Sequence, residues 1–221
     1  MKNLTGSKNV KQLQKSTPQL IAEALRESIM QGELAAGEQL FQDEIANQFG
    51  VSRIPVREAL RQLEAEGLVT FYPHRGAVVT ELSSMEVQEI YEIRVALETM
   101  ALRMAMDKMS GADLKRAEDV LHRIEADPDV AHWGDLNWQF HDALYSPAQR
   151  PRLVAMIETL YVQMDRYVRM QLKHLNYMQR SQQEHWALLA ACQQRDVETA
   201  IGLLEQHIQV AAHTLVEHLQ S

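Results

Sequence analysis

The chain has 221 residues, enough for two domains of ordinary size, and 46% of them are apolar, which favours a packed globular fold over a disordered one. No stretch approaches the roughly 18 uninterrupted apolar residues of a membrane span, and MKNLTGSKNVKQLQKS lacks the apolar centre of a secretion signal; a soluble, cytoplasmic protein with no membrane partner is predicted. The formal charge of −8 divides unevenly, with 9 basic against 9 acidic groups in residues 1–80 and 13 against 21 in residues 81–221, so the first part is not closed to a polyanionic partner.

Residues 1–16 are polar and aperiodic and are predicted to form a flexible arm. A first helix follows, with Ser16 or Thr17 as N-cap, Pro18 at the first helical position, Ile21, Ala24, Leu25 and Ile29 along one face, and Gly32 at its end. After a turn at Gly37, a short helix through DEIANQF places Ile45, Ala46 and Phe49 inward, and Gly50 supplies a left-handed cap. A third helix starts one residue later. With Ser52 as N-cap, Pro55 falls at the third helical position, where a backbone N–H has no intrahelical acceptor and none is lost. Val56, Ala59, Leu60 and Leu63 then form a buried stripe, while Arg53, Arg57 and Arg61 recur every four residues on an outward face. Gly67 ends the helix, and LVTFYPHRGAVVT alternates as two strands joined at PHRG. Three helices and a hairpin within residues 17–80 predict a winged helix-turn-helix.

Beyond a linker at residues 81–84 the pattern becomes wholly helical, with helices expected at 85–108, 112–126, 131–145, 151–177, 180–194 and 197–219. The fold class is therefore mainly α: a winged helix-turn-helix followed by a helical bundle over residues 85–221. The methionines around Met100 and Met104 are expected to pack in the bundle core, although they could instead form a contact surface. Cys192, the single cysteine, is expected to fill core space.

In a helix-turn-helix, the leading turns of the second helix meet base edges in the major groove. Arg53 and Arg57 occupy those turns, and a guanidinium matches guanine O6 and N7 with two parallel bonds. Ser52 can reach a phosphate from the helix N-terminus, and Pro55 stiffens the helix entry. At the hairpin tip, His74, Arg75 and Gly76 are placed to meet phosphates or the minor groove. Arg61 is expected only to touch backbone or to pair with Glu58 or Glu64.

The segment LFQDEIANQFGVSRIPVREALRQLEAEGLVTFYPHRGAVV resembles the winged-helix domain of GntR-family bacterial transcription regulators, whose signature GVSRxPVREALxxLExxGLV it matches almost throughout. The whole chain is similar to the FadR subfamily, with an FCD-type effector domain. That resemblance implies a homodimer on a short inverted-repeat operator in double-stranded DNA, with Ser52, Arg53, Arg57 and Gly76 at DNA-contact positions. One position departs from the regulator that names the subfamily: Asp43 stands where it has an arginine, so the phosphate contact made there should be missing.

Eight of the nine histidines lie in the second part. NWQFHDALY puts Asn137 and His141 on one helix face, and His185 and His207 sit beside apolar residues on two further helices, so their imidazoles could converge inside the bundle. Imidazoles suit Zn, Ni or a similar divalent ion, and three of them leave positions open for water or an anion. FCD domains that bind metal present a (D/N)xxFH motif followed by two histidines, and the resemblance assigns Asn137, His141, His185 and His207 to that set. The neutral amide of Asn137 is a weaker ligand than a carboxylate. His122, His132, His174, His213 and His218 are left as surface or packing residues. A buried arginine would hold the far end of a carboxylate ligand; Arg94 in EIYEIRVALE is the first candidate and Arg169 in RYVRM the second, unless either pairs with a helix glutamate. A small organic acid is the effector the resemblance implies. Two competing functions are a metal-dependent hydrolase tied to a DNA anchor, disfavoured by the lack of HExxH or paired ExxH motifs, and a purely architectural DNA-binding dimer.

Overall fold

Two apolar cores organise the chain. The computed structural model describes residues 15–127, 130–172 and 177–220, with the side chains at 130, 131, 166, 169–172, 177 and 218, those of Arg169 and His218 among them, outside that description. The expected arm at residues 1–16 and His174 fall largely or wholly outside it.

The first core is built by α1 (Thr17–Gln31), α2 (Gln42–Phe49), α3 (Arg53–Ala65) and a three-stranded sheet of β1 (Gln39–Leu40), β2 (Val69–Tyr72) and β3 (Gly76–Val79) in the order β1-β3-β2, all antiparallel. Ser52 stands at the N-cap position of α3 and Pro55 falls in its first turn as expected, and Val56, Ala59, Leu60 and Leu63 are fully buried. Two expected core residues are not. Ala24 is exposed, because the buried stripe of α1, Ile21, Ala22, Leu25, Ile29 and Met30, is turned around the helix toward Ala22 and Met30 and away from Ala24. Phe49 is also exposed: α2 has only two turns and buries the adjacent pair Ile45 and Ala46, leaving its last residue beyond their cover. Gly50 adopts the left-handed cap, φ 63°. Strand β1 was not legible in the sequence, since two residues carry no period; it pairs Gln39 with Val78 and Leu40 with Ala77.

The second core is carried by α4 (Ser84–Met106), α5 (Gly111–Ala126), α6 (Val130–Tyr145), a 3-10 turn (Ser146–Ala148), α7 (Pro151–Leu172), α8 (Tyr177–Gln193) and α9 (Val197–Gln220). The main packings are α4 along α9 and α5 along α6. The helix expected to run to residue 177 differs, because Tyr177 already opens α8. Ser83 and Ser110 start α4 and α5 with capping boxes closed by Glu86 and Asp113. Met100 and Met104 are not in the core. With Met85 and Ile93 they form an exposed apolar stripe along α4, while the opposite face buries Val87, Tyr91, Arg94, Glu98, Ala101, Leu102 and Ala105. No helix among the described residues is long and apolar enough to cross a membrane.

Helix α7 joins the two cores. Val162 packs against the first core, and Gln163 lies so close to Gly67, φ 77°, that a β-carbon there would meet its side chain at 2.4 Å. On another face of the same helix, Tyr161, Met164 and Val168 turn toward the bundle interior, and Asp165 lies against Gly134 of α6.

Candidate DNA-reading face and metal centre

Helix α3 presents Ser52, Arg53, Ile54 and Arg57 to solvent on its leading turns, with Pro55 half-buried. The Ser52 hydroxyl makes no capping bond and stays available to an external acceptor or donor. Arg53 is held by Asp43 of α2: its Nη2 donates to one carboxylate oxygen and its Nε pairs with the other. Arg61 pairs with Glu64 at 2.6 Å and lies over the Phe71 ring, 4.2 Å from its centroid, which removes it from the reading edge as expected. Among the described residues no acidic side chain pairs with Arg57. At the wing, His74 and Gly76 both have positive φ, 64° and 74°, so the turn is tight and a non-glycine residue bears part of its strain. The Arg75 guanidinium leans back to the Gly37 carbonyl at 3.3 Å, so it braces the wing as well as facing solvent.

In the bundle, His141, His185 and His207 converge from α6, α8 and α9, all buried, with one nitrogen from each lying within 4.8 Å of the others. Hydrogen bonds around them set which nitrogen faces inward. Tyr145 Oη donates to Glu98 Oε2 at 2.7 Å, so its lone pair receives the proton of His141 Nδ1 at 3.0 Å. His141 Nε2 is thereby left as a bare acceptor, buried and without a protein partner. His207 Nδ1 donates to Glu184 Oε2 at 2.7 Å, which likewise turns its Nε2 free. His185 Nδ1 has no partner, and its Nε2 makes only a 3.5 Å contact with Ser181 Oγ. Asn137 Oδ1, one turn before His141, is also buried and unpartnered.

Burial, reinforced by the neighbouring imidazoles, lowers the pKa of both His141 and His185 well below the usual histidine range, so both rings are neutral at pH 7. Orphaned lone pairs on neutral rings are what a divalent ion requires. With bonds of about 2.1 Å to a tetrahedral ion, neighbouring ligand nitrogens lie about 3.4 Å apart, so the three rings would have to turn inward to close on it. Asn137 can add a neutral oxygen.

Sequence reasoning missed Glu98 and Tyr145. Glu98 is wholly buried and accepts from Arg94 Nε at 2.7 Å, from Tyr145 and, at 3.5 Å, from Tyr161. Arg94 is therefore not a free anion receptor. It is charged: burial works against the charge, but Glu98 together with Tyr161 and Tyr91 raises its pKa, and its guanidinium lies 4.0 Å from the Tyr161 ring centroid and 4.9 Å from that of Tyr91. Arg94 and Glu98 are four apart on the buried stripe of α4; that placement, on an otherwise apolar face, was the available signal. A small cavity of about 30 Å³ is lined by Arg94, Tyr91, Asn137, Tyr161 and His207 among others, so the arginine and the histidine cluster border one space. Arg169 belongs to α7, but its side chain is outside the description. His122, His132 and His213 are exposed, as expected.

Comparison with known proteins agrees with both halves. Residues 17–79 match the family of bacterial regulatory proteins, gntR family, and residues 89–210 match the FCD domain. The chain is 32% identical over 194 residues to the uncharacterized HTH-type transcriptional regulator BphR of Paraburkholderia xenovorans (strain LB400), covering 84% of this chain and 79% of that protein. It is 30% identical over 194 residues to the HTH-type transcriptional repressor RspR of Escherichia coli (strain K12), covering 86% and 85%. The solved structure of E. coli McbR/YncC superposes with a TM-score of 0.78 at 26% identity, covering 93% of this chain and 99% of that one.

Proposed function

Given that the chain belongs to the GntR family of bacterial regulatory proteins, with an FCD domain behind its gntR-type head, we propose that it binds a short inverted-repeat operator as a homodimer and that a small organic acid, sensed beside a divalent metal ion in the bundle, alters that binding. It is a transcription regulator and not an enzyme, as its relatives are. Residues 17–80 form the DNA-binding domain, 81–84 the linker and 85–221 the sensing and dimerising domain, and the protein works in the cytoplasm, where its operator is.

The observation that carries this reading is the solvent-facing edge of α3, where Ser52, Arg53 and Arg57 stand clear of a wholly apolar inner stripe. Arg57 offers its whole fork to the DNA, because no acidic group among the described residues pairs with it. His74, Arg75 and Gly76 follow the backbone from the wing. Support for a homodimer comes from the exposed stripe of Met85, Ile93, Met100 and Met104 on α4, since apolar area of that length is stabilised by covering it with a second copy.

Asn137, His141, His185 and His207 would hold the ion, zinc or nickel by donor type. When bound, it supplies open positions for a carboxylate ligand. This chain's own contribution is to orient the three rings through Tyr145, Glu184 and burial, and to place Arg94, already neutralised in part by Glu98, at the edge of the same cavity. An acid entering there would meet the outer N–H groups of Arg94. It can change operator affinity only as far as it binds one arrangement of the two heads better than the other.

The test is retention of short palindromic duplexes, selected from a random pool, by purified protein. Wild type should retain a specific duplex and Arg57→Ala should not; retention by the variant at wild-type strength overturns the assigned face. Elemental analysis of the same preparation should find one zinc or nickel per chain, and His141→Ala should lose it.

A further inference from the structure

We propose that Asp43 is a specificity-determining residue that fixes the Arg53 guanidinium for reading guanine; this rests on the DNA-reading role given to α3 above. Asp43 lies in the first turn of α2 and Arg53 at the first position of α3, so the two meet across the turn of the helix-turn-helix motif. The pair is bidentate and side-on: Nε and Nη2 of Arg53 engage both carboxylate oxygens. A guanidinium has five N–H groups. The carboxylate takes two of them, on the inner edge, and leaves Nη1 and the outer proton of Nη2 as a parallel fork. That remaining edge is the one that matches O6 and N7 of guanine.

Two consequences separate this arrangement from a free arginine. An unrestrained Arg53 would bind a phosphate almost as readily as a base, and reaching for the base would require ordering its side chain, at a cost of about 0.5–1.5 kcal/mol. With Asp43 in place that ordering is largely complete before DNA arrives. The carboxylate also places a negative charge on the DNA-facing side, so Arg53 plus Asp43 gains little from non-specific phosphate attraction. Arg57, one turn further along and without an acidic partner among the described residues, keeps that general attraction. The two arginines are thus assigned different tasks by their surroundings. An aspartate at this position contributes more than the loss of a phosphate contact: it exchanges affinity for selectivity.

Both side chains are well exposed, 68% for Arg53 and 59% for Asp43, so the pair adds little to folding and its removal is a clean probe. Sites are selected from a randomised duplex pool with wild type, Arg53→Ala, Asp43→Asn and Asp43→Ala, and binding is measured as a function of salt. Arg53→Ala identifies the base pair that Arg53 reads, as the position where preference is lost. Both Asp43 variants should keep the thermal midpoint and the rest of the consensus. Discrimination at that one base pair should fall about two- to twelvefold, as the ordering cost converts at about 1.4 kcal/mol per decade, while affinity for unrelated DNA rises and its salt dependence steepens by about one phosphate contact. Wild-type discrimination at that base pair in both Asp43 variants, or a loss spread evenly over the site, overturns the inference. A wild-type protein that selects no sequence, or an Arg53→Ala consensus unchanged from wild type, overturns instead the base-reading role of α3, and the assignment of Asp43 falls with it.

Discussion

Replacing Glu98 by alanine removes the carboxylate that, among the described residues, is paired with a guanidinium itself 5% exposed. Arg94 would keep its contacts with the rings of Tyr91 and Tyr161 but lose the anion paired with it in the core. Breaking a buried pair from one side costs about 3–5 kcal/mol, because the remaining charge has neither water nor partner. Tyr145 Oη would lose its acceptor as well, adding about 1 kcal/mol. Against a typical stability of about 5–15 kcal/mol this is a large fraction, and at a urea slope of roughly 2 kcal/mol/M it lowers the midpoint by about 2–3 M. The double variant Arg94→Met, Glu98→Leu removes both charges and should recover most of the loss, since a buried pair scarcely repays its own desolvation. Urea unfolding of the metal-free protein, followed by far-UV circular dichroism, measures both. A single variant within 1 kcal/mol of wild type, or a double variant no better than the single, would refute the view that Arg94 depends on Glu98 for its place in the bundle.

Other outcomes follow from the same structure. His141 and His185 titrate below the ordinary histidine range when folded, so the unfolded chain takes up protons first: the stabilisation is complete above about pH 6.5 and is lost as pH falls below it, by up to about 1.4 kcal/mol per histidine per pH unit. Urea midpoints of metal-free protein between pH 7.5 and 5.5 check this, and a flat profile contradicts it. Burial pushes the Cys192 thiol up to about 12, so at pH 8 a thiol reagent should label native protein only at the rate of unfolding and label urea-unfolded protein at once. Met100→Glu places a charge in the exposed stripe of α4; light scattering should show the dimer weakened by at least tenfold with the melting temperature of the monomer unchanged within about 2 °C.

The sequence disclosed most where chemistry and period coincide. Pro55 makes sense only inside a first helical turn, and the stripe Val56, Ala59, Leu60, Leu63 follows at helical spacing, so α3 was legible in both extent and orientation. The hairpin was marked by its turn residues, and α4 to α9 by apolar period. Burial against other elements was not legible. Periodicity says which residues share a face but not whether that face is covered, which is why Phe49, Met100 and Met104 were placed inside and stand outside. Glu98 illustrates the converse: a helix glutamate four residues from an arginine ordinarily marks a solvated surface pair, and only the packing of α6, α7 and α9 over α4 encloses it. The four metal-site residues were named in order from the motif, yet neither the facing nitrogens nor the Tyr145 and Glu184 supports that orient them could be derived from spacing.

Helix α7 is seated between two glycines, Gly67 at the end of the reading helix and Gly134 on the helix that carries Asn137 and His141, with Gln163 against one and Asp165 against the other. A side chain tip stands about 5–6 Å from its helix axis, so a roll of about 20° would displace both contacts by about 2 Å at once. Neither glycine has a side chain to yield in its place. The inner cavity and the DNA-facing head therefore lean on opposite sides of one rigid rod, and crowding on one side is transmitted to the other by steric contact alone.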